Sequence, residues 1–138
     1  MTGVGRLAAR LVFAVLLVIV TWLTLTPSPE QTESSIAIAR WIASVFLGAP
    51  ALSDKVAHFL AYAALGASAQ WAQLTPPTMR YAAPAILLAL YGVVLEFGQG
   101  AMGVRSPEIA DAAANAAGAI CGVAFAAVAQ AIAGRFTA

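Results

Sequence analysis

The chain has 138 residues, 62% of them hydrophobic and only 9% charged, and its mean hydropathy is +0.87. Soluble domains carry roughly 25% charged residues, so this composition cannot cover a water-facing surface and calls for a lipid surround. The net charge of +1 gives no reason to expect nucleic acid or a strongly acidic partner.

A transmembrane helix needs about 20 mostly apolar residues, and four stretches qualify. The first runs from about Leu7 to Leu25, with Arg6 and Arg10 as its basic flank. No A-x-A-like cleavage site follows it, so it reads as an anchor rather than a signal peptide. Pro27 and Pro29 end it. The long connection to Ser53 opens with Glu30, Gln31, Thr32 and Glu33. It then holds the run IAIARWIASVFL, Ile36 to Leu47, which is too short to span and is expected as an amphipathic, interfacial or re-entrant helix.

The second span covers about Val56 to Leu74, with Ser53 as N-cap and Pro76 and Pro77 as its stop. The third covers about Tyr81 to Gln99. Ser106-Pro107-Glu108 then signals a new helix start, and the fourth span follows from about Ile109 to Ala133. Trp22, Trp41, Trp71 and Tyr81 fall near span ends, where amphipathic rings prefer the interface. Cys121, the only cysteine, excludes an internal disulfide and reads as an inert buried small residue. The expected fold is an all-α four-helix membrane bundle, one domain over residues 1–138. The basic pair beside the first span, against the acidic start of the long connection, places both termini in the cytoplasm.

In that topology the scarce polar groups gather at one end, the outer one. Asp54, Lys55 and His58 begin the second span, Glu96 and Gln99 close the third, Arg105 follows in the loop, and Asp111 and Asn115 open the fourth. Asp54 and His58 are i, i+4 and Tyr62 continues their face; Asp111 and Asn115 are i, i+4 as well. Charges inside a bilayer turn inward and pair, so the stripes are expected to converge. The other end shows no comparable set. Ala114, Gly118 and Gly122 form a small-xxx-small stripe on the fourth span, suited to packing within the chain or to a homodimer.

These residues, in this order, resemble the VanZ-like family of bacterial membrane proteins. The matching elements are Thr26-Pro27, the segment Ser53 to Tyr62 with its D-K-x-x-H core, Glu96 to Gln99, and Arg105, Asp111, Asn115 and Gly118. The family pattern has a second acid between the arginine and the aspartate, and Glu108 stands in that interval. The resemblance implies a bacterial inner-membrane protein of the cell envelope, with a link to antibiotic resistance, specifically to the glycopeptide teicoplanin.

Three functions fit these residues. A binding or envelope-modifying protein would engage a membrane lipid headgroup or a lipid-linked envelope precursor, with Asp54, Lys55, Gln99, Arg105 and Asn115 as ligand-binding residues. A membrane-embedded hydrolase or transferase would use His58, Glu96 and Asp111 as catalytic groups, although no nucleophile motif accompanies them. A purely structural reading makes the same groups a polar network in an accessory subunit. No cofactor and no metal is expected, because one imidazole with carboxylates makes a poor structural zinc set.

Overall fold

The computed structural model describes residues 3–26 and 37–135. Among them there is no strand. Helix α1 spans Gly3–Leu25, α2 Ala37–Leu47, α3 Ser53–Ala72, α4 Ala82–Ala101 and α5 Ile109–Arg135, with short 3-10 turns at Pro50–Leu52 and Pro77–Met79. The expected stops at Pro27 and Pro29 and the acidic start of the first connection lie outside the described residues.

Three of these helices, α1, α4 and α5, are long and apolar enough to cross a membrane. Helix α3, with 20 residues, matches α4 in length but is less apolar. Its place in the bundle explains this. Tyr62, Leu65, Ala69 and Ala72 are buried against neighbouring helices, so much of its surface meets protein instead of lipid. Helix α1 is the reverse case: Val20 is its one buried residue, and Leu7, Leu11, Val15 and Val18 face outward.

Side-chain bonds fix the helix directions. Arg10 near the start of α1 reaches the Ala72 carbonyl at the end of α3 (3.3 Å), so these two run antiparallel. Gln99 near the end of α4 donates to the Thr24 carbonyl at the end of α1 (2.8 Å), so these two run parallel. Helices α3 and α5 also run parallel, and they touch backbone to backbone. A Cβ at Gly118 would collide with the Phe59 carbonyl, one at Gly122 with the Ala63 carbonyl, and one at Gly66 with the Ala119 carbonyl. The small-xxx-small stripe therefore serves packing within the chain, the small-residue logic of membrane helix pairs.

Several local expectations are corrected. Ser53 is not an N-cap. The preceding 3-10 turn feeds straight into α3, so Ser53 already has helical angles (φ −53°, ψ −37°) and makes no capping bond. Helix α3 stops at Ala72, before the two prolines, where Gln73 adopts a left-handed conformation at φ 49°. Helix α5 starts later than the Ser106 signal, with the Glu108 carbonyl accepting from the Asp111 (3.1 Å) and Ala112 (3.2 Å) amides. Cys121 is exposed on α5, not buried. Residues Ile36 to Leu47 do contain a short helix, α2, with Ala39 and Ala43 buried and Trp41 and Phe46 turned outward.

Candidate functional site

The glycine contacts set the α3 and α5 backbones side by side, and this forces the starts of both helices into one place. At the end of α4 the chain must turn back sharply. Gly103 takes φ +67°, a left-handed angle that glycine adopts without strain, and the Val104 amide returns to the Gln99 carbonyl at 3.0 Å. Pro107 then packs so closely on Gly100 that a Cβ there would overlap its ring. The turn delivers Arg105 and Glu108 over the start of α3.

The result is a dense charge cluster. Arg105 Nη2 lies 2.7 Å from Asp54 Oδ2, 3.0 Å from Glu108 Oε1 and 3.6 Å from Asp111 Oδ2. Lys55 Nζ lies 2.5 Å from both Asp111 Oδ1 and Glu108 Oε2, and 3.3 Å from Asp54 Oδ2. Asp111 is the buried anchor, 1% exposed, while the Glu108 side chain is 43% exposed. A buried carboxylate is costly unless paired, and here two cations share the pairing. The Lys55 ammonium, then the Arg105 guanidinium, hold the Glu108 carboxyl below its ordinary value. Its bond to Asp54, then that to Glu108, raises Arg105 further, so its charge is permanent.

His58 sits one turn further in. Its Nδ1 meets Asn115 Oδ1 at 3.0 Å, the geometry of an N–H donating to an amide oxygen. That leaves Nε2 facing Asp111 Oδ2 at 3.7 Å and Asp54 Oδ1 at 4.0 Å. Asn115 is itself 1% exposed and is pressed by Gly92 of α4, where any Cβ would crowd its side chain. The imidazole is thus held by α5 on one nitrogen and presented to two carboxylates on the other.

Not every expected residue joins this group. Asp54, Lys55, His58, Arg105, Asp111 and Asn115 come together. Glu96 is buried but bonds elsewhere, its Oε2 accepting the Glu108 backbone N–H at 3.2 Å. It braces the loop under the cluster. Gln99 serves the α1 contact described above. The Tyr62 hydroxyl and Glu96 Oε1 are buried without a protein hydrogen-bond partner. Glu108, which sequence reading left as a stand-in acid, is the group that bridges both cations.

Asp54, His58 and Asp111 can each offer one ligand atom, all within 4.8 Å of one another. The ammonium of Lys55 and the guanidinium of Arg105 stand against the same carboxylates, so a divalent ion entering there would meet two positive charges. The donor set fits a metal poorly for that reason.

The opposite end also carries a polar group that sequence reading missed. Gln70, 2% exposed, pairs with Gln130 through Nε2 to Oε1 (3.2 Å) and the Gln130 amide to the Gln70 carbonyl (3.3 Å). Arg80 adds a bond to Gln130 Oε1 at 2.9 Å and stacks over Tyr81. The signal was two lone amides inside apolar runs, one on each of two helices.

Apolar helices surrounding an inward-turned charge cluster define a multi-pass membrane protein. The sequence profile of the VanZ/LLP1 family matches residues 13–130, and the chain belongs to that family. No curated protein and no solved structure matches it.

Proposed function

We propose that the chain is a bacterial inner-membrane protein that crosses the bilayer four times, and that its charge cluster, at the outer face, engages the phosphate-bearing headgroup of an envelope lipid or lipid-linked precursor. At 1.5 Å per residue, the 20 residues of α3 reach about 30 Å, enough to cross the hydrocarbon core. The arginines at the other end support cytoplasmic termini.

One observation carries the binding reading. The Glu108 carboxylate spans Lys55 (2.5 Å) and Arg105 (3.0 Å) with its two oxygens, at the exposed mouth of an otherwise buried cluster. That is how a phosphate would be gripped. Glu108 holds the place of such an anion and is exposed enough to swing away. Glycopeptide resistance would follow if the bound headgroup belonged to the antibiotic's target.

The test is binding of short-chain phosphatidic acid to the purified protein. Glu108→Ala should bind it more tightly than the parent, and Arg105→Ala should lose it. Unchanged affinity in both folded variants would refute the headgroup site.

A second reading, hydrolysis or transfer on the same headgroup, draws on the presentation of His58 Nε2 to Asp54 and Asp111. It predicts that His58→Ala keeps binding and fold while the envelope phenotype disappears. If fold and phenotype fall together, the network is structural.

A further inference from the structure

Among the described residues, no carboxylate lies at the end where α1 begins and α3 and α5 finish: the four described acids, Asp54, Glu96, Glu108 and Asp111, all stand at the other end. Arg6, Arg10, Arg80 and Arg135 therefore face no acid there. Arg10 uses Nε on the Ala72 carbonyl, which leaves the far end of its guanidinium uncommitted. Arg80 holds only the neutral Gln130 oxygen and the Tyr81 ring.

An apolar groove of about 190 Å³ opens at the same end. Its walls are Phe13 and Leu17 of α1, Leu88 and Tyr91 of α4, and Ala69 and Leu74 at the close of α3. Arg10 precedes Phe13 by three residues and so lies on the same face of α1. Arg80 precedes Pro84, another groove residue, by four. At 1.5 Å per residue, Arg10 to Leu17 covers about 10 Å of depth. The groove closes where the Thr21 hydroxyl bonds the Tyr91 hydroxyl and ties α1 to α4. Helix α1 is otherwise thinly packed, so this end of the α1–α4 seam is unfilled by protein.

We propose that this groove is a binding site for one anionic phospholipid, its acyl chain lying between α1 and α4 and its phosphate held by Arg10 and Arg80. An acyl chain fits because the walls are apolar and closed at depth. The anionic headgroup follows from charge: two arginines border the mouth with no internal counter-ion, the arrangement that recruits acidic lipids to basic pockets between membrane helices. This site is independent of the headgroup reading above and lies at the opposite end.

Phosphatidylglycerol carrying a photoreactive group on its acyl chain tests it, with the protein reconstituted in phosphatidylcholine vesicles and the labelled peptides mapped. Labelling should concentrate at residues 13–17 and 87–91. The Arg10→Gln/Arg80→Gln double variant should lose it, and so should Leu87→Trp, which fills the groove without touching a charge. Arg135→Gln, an arginine of the same end away from the groove, should keep it. Glycerol phosphate, which has no chain, should not displace the lipid; displacement would show a site for free phosphate. Labels scattered over the outward residues Ile120, Phe125 and Val128, or equal labelling by the phosphatidylcholine analogue, would overturn the proposal.

Discussion

The two ends of the bundle solve the same problem in opposite ways. Each must keep polar groups among apolar helices. At the start of α3 and α5, four acids and two cations interlock, and Asp111 is buried because Lys55 and Arg105 both reach it. At the other end, neutral amides pair with each other, and the arginines keep their charge turned toward the surroundings. One end is satisfied from within except for the exposed Glu108. The other is satisfied as to hydrogen bonds but not as to charge. A self-neutralised cluster is where removing one member costs most. An unbalanced one is where an outside anion gains most.

That contrast makes ranked predictions. Lys55→Met should give the largest loss, because it strips Asp111 of its closest cation in a dry site. Breaking a buried pair costs about 3–5 kcal/mol; the residual Arg105 contact at 3.6 Å and the partial exposure of Lys55 put this case at the lower end. Thermal unfolding in detergent reads it. Gly122→Val should come next. Its side chain has to displace the Ala63 backbone, and overpacking typically costs about 1–3 kcal/mol. The same unfolding assay should show this loss with the charge cluster chemically intact.

The amide end should be softer. Replacing Gln70 and Gln130 together by leucine removes both partners of a neutral pair, and such exchanges change stability by about 1 kcal/mol or less. A loss as large as that of Lys55→Met would mean the two ends are not different in kind.

The smallest effect is acid sensitivity at Glu108. Its carboxyl is held below the ordinary value of 4.5. Its contribution is therefore present above that value and fades as pH falls through the lower, folded-state value. Unfolding temperature should drop on acidification below 4.5, and Glu108→Gln should show less of that drop.

Much of this was legible in the sequence. Apolar runs announced the helices, and the i, i+4 spacing of Asp54 with His58 and Asp111 with Asn115 announced the shared face. The resemblance to the VanZ-like family was carried by the same residues and holds over residues 13–130. Tertiary detail was not legible. Glu96 looked like a partner for His58, but the loop geometry hands it the Glu108 amide instead. Ser53 looked like a cap, but a 3-10 turn entering the helix without a break removes the non-helical angles a cap needs. Gln70 and Gln130 stand 60 residues apart, and nothing local connects two amides at that separation. The lower hydropathy of α3 also reads differently once its neighbours are known, since a helix wrapped by protein need not be as apolar as one wrapped by lipid.

The most direct measurement is a double-mutant cycle on Lys55→Met and Asp111→Leu, read by unfolding in detergent. If the starts of α3 and α5 share one charge cluster, each single change should destabilise strongly and the double should recover part of the loss, with a coupling of about 0.5–3 kcal/mol. Losses that simply add would place the two side chains in separate environments and contradict the account.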